Sequence, residues 1–296
     1  SNYVAAIVAG CICPAGADID TLGIQITANG RHKAVLLYDT EQSEVQLFKN
    51  VSNLLARAKQ PDKPDELKAF CLTGMSRKER LNAIVQSMDK FYYQYGGIQL
   101  VVIDGIADLV KSANDEAESV AVIDELYRLA GIYNTCILCV LHFVPNGLKL
   151  RGHLGSELQR KAATILSIEK DDEPAQSVVK ALKVRDGSPL DVPLMLFAWD
   201  KEAGMHVYKG EKPREEKEKR KERELVNVAH DIFGRQTRIT YIDLCEQLQQ
   251  VLDIKERTAK SYIRFMRERD IITKDTANQS CFVIGSYHLQ RNASCP

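Results

Sequence analysis

Four short apolar runs in this chain each end in a charged or polar side chain, and that arrangement constrains the fold more than any other feature of the 296 residues. AVLLYD leads through Asp39 and Thr40 to Glu41, LVVI is closed by Asp104, CVL is followed by His142, and SVVKALKV carries Lys183 and runs on to Arg185. Continuous apolar runs of this length read as strands buried on both faces. Amphipathic segments separate them. Residues 44–60 place Val45, Phe48, Val51, Leu54 and Leu55 at helical spacing, SRKERLNAIVQSMDKFYYQYG opens with Ser76 and Glu79 as a capping box, and residues 114–130 form another helix. Apolar strands alternating with helices predict an α/β fold with a mostly parallel sheet covered on both faces.

Further strands are expected at AFCLTG, ATILSIEK, LMLFAWD and MHVY. SNYVAAIVAGC has small and apolar residues at helical spacing with no capping signal before them, so it reads as the body of a helix. IQITA and AVLLYD flank the turn residues NGRHK and predict a β-hairpin.

Length suggests two domains, since single domains run to roughly 100–200 residues. Lysine plus arginine and aspartate plus glutamate both total 40, so any claim on nucleic acid must be local. No stretch has the apolar length of a membrane span and no signal peptide opens the chain, which leads to the expectation of a soluble, cytoplasmic protein. The eight cysteines lie mostly among apolar residues, as reduced core thiols do. Cys136 and Cys139 have CxxC spacing, but inside an apolar strand their side chains fall on opposite faces, which argues against a metal or redox pair.

Residues 211–224, EKPREEKEKRKERE, mix opposite charges at spacings that favour i,i+4 pairing and read as a solvated helical linker between a core at 1–210 and a small module at 225–288. In that module three helices (LVNVAHDIF, YIDLCEQLQQVL, ERTAKSYIRFMRER) precede two short strands around the polar turn DTANQS, the order of a winged helix-turn-helix. Its third helix buries Tyr262, Ile263 and Met266 and leaves Lys255, Arg257, Lys260, Ser261 and Arg264 available, with Thr258 or Ser261 near base edges. The alternatives are a local cap for Thr258, a solvated face for the arginines, and a protein rather than DNA as partner.

Each strand-end residue of the core has a plain reading beside a chemical one. Asp104 closes its strand as a Walker B aspartate does, placed to bind Mg²⁺ directly or through water, yet apolar strands often end in aspartate. Glu41 is placed to polarise a water, or is a solvated loop carboxylate. His142 is placed to sense a phosphate, or is an exposed histidine. Together and in this order, with KVRDG and the loop segment RGHLGSELQRKAATILSIEK, they resemble the RecA-like P-loop ATPases, particularly the hexameric helicases of the DnaB and RepA type, over residues 1 to about 208.

The resemblance implies ATP and Mg²⁺ as cofactors, a homo-oligomeric ring, DNA contact through the loop that begins at Arg151, and Lys183 and Arg185 as fingers reaching a neighbouring subunit's nucleotide. The chain departs from the family in one respect: no G-x-x-x-x-G-K-[ST] occurs in it, so the phosphate cradle is not among its residues. The expectation is that this loop lies just before SNYVAAIVAG. Two functions follow, an ATP-driven DNA motor or DNA-remodelling ATPase of the kind found on plasmids and mobile elements, or a non-catalytic winged-helix DNA-binding regulator that uses the RecA-like part for oligomerisation or nucleotide sensing.

Overall fold

A computed structural model describes residues 2–142, 152–171, 175–212, 217–234, 236–276 and 278–286. The chain divides into two compact units, residues 1–213 and 214–296.

Unit 1 begins with α1 (Asn2–Ile12), followed by β1 (Ala34–Asp39), α2 (Glu44–Arg57), β2 (Leu67–Cys71), α3 (Arg77–Tyr95), β3 (Ile98–Asp104), α4 (Glu116–Ile132) and β4 (Cys136–Val140). These four strands form a parallel sheet in the order β2-β1-β3-β4, a mixed α/β arrangement consistent with a RecA-like core. All six residues of β1 are buried, because both of its edges are paired and both of its faces are covered. On one face Val35, Leu37, Leu100 and Val102 pack with α1 and α2; on the other Leu36, Tyr38, Val101 and Ile103 pack with α3 and α4. Period-two alternation of side chains thus feeds two separate cores from the same strands.

The helices start where the sequence provides caps. Ser76 and Glu79 form a reciprocal capping box on α3, and Gly96 ends that helix in the left-handed region. Ser43 caps α2 and Asp115 caps α4. On α2, however, the expected apolar stripe is turned: Leu47 and Leu54 are buried, while Val45 and Phe48 are 67% and 74% exposed. Leu47, Val51, Leu54 and Leu55 form the inward stripe instead.

Two further expectations give way. The hairpin around NGRHK does not form, since residues 18–28 contain no strand and β1 pairs in parallel with β2 and β3. A central strand has no edge left for a hairpin partner; Ile24 and Ile26 instead pack as loop residues against the core beneath α1. The last four strands, β5 (Thr164–Lys170), β6 (Gln176–Val184), β7 (Leu194–Asp200) and β8 (Met205–Lys212), do not extend the parallel sheet either. They make a separate antiparallel sheet in sequence order, because connections as short as 201–204 turn a chain back but cannot cross over to a parallel neighbour. Helix α5 (Gly152–Lys161) precedes them.

Arg57, at the end of α2, ties the loop 13–33 to the antiparallel sheet. Its guanidinium donates to the backbone carbonyls of Asp20 and His206, and Asp20 in turn accepts from the backbone N–H of Tyr208 at 2.7 Å. Burial pulls the Arg57 pKa down, opposed by the Asp20 carboxylate 3.9 Å away.

Unit 2 contains α6 (Lys217–Phe233), β9 (Ile239–Thr240), α7 (Tyr241–Leu252), α8 (Glu256–Glu268), β10 (Ile272–Lys274) and β11 (Cys281–Ile284), with the strands antiparallel in the order β10-β11-β9. Leu225, Ile232, Leu244, Leu248, Ile263, Met266 and Phe282 share one core. The charged tract is divided between the units: Glu211 and Lys212 end β8, and α6 opens within it. Glu222 is buried on α6 and pairs with Arg269 at 3.3 Å. Among the described residues no helix is long and apolar enough to cross a membrane.

Candidate functional site

The carboxyl ends of β1 and β3 lie side by side, with Asp39 and Asp104 as register partners. Both line a cleft of about 200 Å³ that is also bordered by Asn2, Gln42, Asn50 and Asn53. Of the two, Asp104 closes the Walker B-like strand at the polar cleft and is suited to a hydrated Mg²⁺. Among the described residues no group of three or more His, Cys, Asp or Glu side chains could by itself hold a metal, so further ligands would have to come from phosphate oxygens and water.

Beyond β1 the chain makes a tight elbow. The Asp39 carboxylate accepts from the backbone N–H of Glu41 at 3.0 Å and of Gln42 at 2.8 Å. Thr40 ties the elbow to the neighbouring strand: its N–H donates to the Asp104 carbonyl at 3.1 Å, and its hydroxyl to the Gly105 carbonyl at 2.8 Å. Asp39 and Thr40 are each only 2% exposed. Gly105 has φ of 100°, and a Cβ there would collide with the Thr40 hydroxyl and the Glu41 side chain, so both backbone conformation and close approach require glycine.

The elbow delivers Glu41 to the rim of the sheet, where its carboxylate lies 3.4 Å from His142 Nε2 at the end of β4, and both side chains reach solvent. Gln42 turns its side chain toward α2, accepting from Asn50 at 2.7 Å. The structure therefore brings Glu41, Asp104 and His142 to one edge. Sequence reasoning passed over Asp39 and Thr40, reading them only as the end of a strand; the available signal was a D-T-E run directly after the five apolar or aromatic positions Ala34 to Tyr38.

Residues 5–146 match the AAA domain family. The matched stretch holds the whole parallel sheet together with Asp39, Glu41, Asp104 and His142, and this likeness to an AAA domain suggests a nucleotide-binding, ATPase-like function for it. No curated protein matches the chain. Lys183 and Arg185 lie outside the AAA domain match, on and just after β6. Lys183 donates to the carbonyls of Gln159 and Arg160, at 2.6 and 3.3 Å, and Arg185 to that of Lys161 at 2.9 Å, so both cap the last turn of α5. Arg151 lies outside the described residues.

In unit 2 the proposed DNA-facing residues sit on or beside α8. Lys255, Arg257, Lys260, Ser261 and Arg264 are exposed and Thr258 is partly buried. Lys260 pairs with Glu256 and Arg264 with Glu268, each at 2.7 Å and one turn apart. Thr258 sits in the first turn, its N–H donating to the Lys255 carbonyl at 2.9 Å.

Proposed function

We propose that the protein is an ATP-driven DNA motor or DNA-remodelling ATPase, a RecA-like core joined to a winged-helix DNA-binding module. The observation that carries this reading is the convergence of Glu41, Asp104 and His142, with Asp39 beside them, on the carboxyl edge of one parallel sheet. Bound Mg²⁺ would neutralise charge on the β- and γ-phosphates of ATP. Asp104 would hold its water shell. Glu41 polarises the attacking water, and His142, in contact with Glu41, reads the terminal phosphate. The phosphate cradle itself is not supplied by any G-x-x-x-x-G-K-[ST] run in the sequence.

Lys183 and Arg185 act on a neighbouring copy in a homo-oligomeric ring, hexameric as in the families this core resembles. Their present partners are backbone carbonyls at a helix end, which a phosphate can outcompete. In unit 2, α7 and α8 make the helix-turn-helix and the β10–β11 hairpin the wing, with Lys255, Arg257, Lys260 and Arg264 on phosphates and Thr258 and Ser261 toward bases. Arg151 contributes to a channel contact with DNA. Such a protein works in the cytoplasm on replication, mobilisation or recombination of DNA.

The test is DNA-stimulated ATP hydrolysis by the full-length protein, with an Arg185→Ala variant titrated into wild type. Stimulated turnover that the variant poisons out of proportion to its fraction supports the ring motor. DNA binding without turnover overturns it in favour of a non-catalytic winged-helix regulator.

A further inference from the structure

Asp39 is a carboxylate buried to 2% exposure at the point where β1 ends and the loop carrying Glu41 begins. Removing a charged carboxylate from water is costly unless hydrogen bonds compensate it. Two do: one carboxylate oxygen receives the backbone N–H groups of both Glu41 and Gln42, at 3.0 and 2.8 Å. Bonds from N–H groups to an ionised oxygen are roughly twice as strong as neutral ones. They fix the two residues after Thr40 relative to β1, while Thr40 is fastened through its N–H and hydroxyl to the carbonyls of Asp104 at the end of β3 and of Gly105 just beyond it. The Glu41 backbone is thus held from both strands, and its side chain has only its own rotamers left to explore.

We propose that Asp39 is a positioning residue that sets Glu41 against His142 and Asp104 through the Glu41 and Gln42 amides. The inference rests on the reading of Glu41 as the group that orients the attacking water. A base held by its own backbone elbow is aligned before substrate arrives, and a displacement on the order of 1 Å at such a group can cost about a hundredfold in rate. Asp39 itself touches no reacting atom; its effect passes through the elbow.

Two variants of the full-length protein separate this role from a general packing role. Asp39→Asn keeps an acceptor oxygen of the same reach, and Asp39→Ala removes it. Nucleotide affinity, read with a fluorescent ATP analogue, is expected to stay within about twofold in both, since uniform binding is untouched. Turnover is expected to fall about a hundredfold in Asp39→Ala, to the level of Glu41→Gln, and only about threefold in Asp39→Asn, whose neutral acceptor holds the turn more weakly.

A second readout needs no hydrolysis: exchange of the Glu41 and Gln42 amides is expected to be slow in wild type and Asp39→Asn and at least about tenfold faster in Asp39→Ala, as loss of an amide's acceptor implies. Should Asp39→Ala fail to fold, Asp39→Ser takes its place; its hydroxyl accepts more weakly in the same turn, and intermediate turnover and exchange are expected. Unchanged exchange in Asp39→Ala, full turnover in that variant, or Asp39→Asn falling as far as Asp39→Ala would each overturn the proposal. Wild type that shows the expected exchange pattern but no turnover would sink the hydrolytic reading and leave the hold of Asp39 on the elbow standing.

Discussion

Lys183 Nζ lies 2.6 Å from the backbone carbonyl oxygen of Gln159, so a side chain on the antiparallel sheet closes the end of α5. Arg185, just after β6, does the same to Lys161, and the Arg185 N–H reaches the Ala163 carbonyl at 2.9 Å. The last carbonyls of a helix have no partners within it, and cations there also meet the negative end of the helix dipole. Lys183→Ala with Arg185→Ala should therefore fray the final turn of α5, costing about 1 kcal/mol after discounting for exposure. Amide exchange across residues 156–163 checks it: protection should drop there and hold in β5 and β6.

Arg57 is expected to be the most sensitive polar position in unit 1. Its buried guanidinium satisfies two carbonyls from segments far apart in sequence, at Asp20 and His206. Replacement by methionine keeps the packing of the stem but orphans both carbonyls, and should destabilise by about 2–4 kcal/mol. Replacement by lysine should recover less than half of this, because a single ammonium cannot span two acceptors as a planar fork does. Thermal unfolding of both variants, followed at the exposed Trp199, supplies the comparison.

The parallel half of the fold was readable because β1, β3 and β4 are largely apolar runs and α2, α3 and α4 begin at caps written in the sequence, as at Ser76. What misled was the partnering of runs. IQITA looks like a strand next to AVLLYD, but β1 is saturated by β2 and β3, which are brought to it by crossovers that local patterning does not reveal. The final four strands carry the same apolar signal whether they add to a parallel sheet or form an antiparallel one; only the shortness of their connections distinguishes the two. At the site, Glu41, Asp104 and His142 could be found from their places at strand ends. Asp39 could not, since its importance lies in a backbone turn that exists only once the strand has ended.

The Ser76–Glu79 capping box gives α3 a pH-dependent start. Hydrogen bonds from the Ser76 side chain and backbone hold the Glu79 carboxyl below the usual value of 4.5. A group with a depressed folded-state pKa contributes stability that is present above its unfolded pKa and is lost as pH falls through the folded one. Wild type and Glu79→Gln, compared by urea unfolding, should differ most at neutral pH, in favour of wild type, and converge as the pH falls below 4.5 and through the lowered folded-state value. Ser76→Ala removes the side-chain half of the box, leaving the Ser76 backbone N–H to Glu79, and should cost about 1 kcal/mol at pH 7.

Salt dependence will sort the basic residues of α8. Lys260 and Arg264 are already paired with Glu256 and Glu268, whereas Lys255 and Arg257 have no ion-pair partner among the described residues. A cation that must leave a carboxylate to meet a phosphate gains less than one that arrives unpaired, although pairs this exposed are weak. Log affinity for duplex DNA falls linearly with log salt, with a slope set by the number of phosphates neutralised. Lys255→Ala and Arg257→Ala should each reduce that slope by about one, with equal loss across DNA sequences. Glu256→Gln and Glu268→Gln should each raise affinity by up to about twofold at low salt, by freeing the paired cation. If Lys255→Ala and Arg257→Ala leave the slope unchanged, α8 does not face the phosphate backbone, and the DNA-contacting surface of unit 2 lies elsewhere.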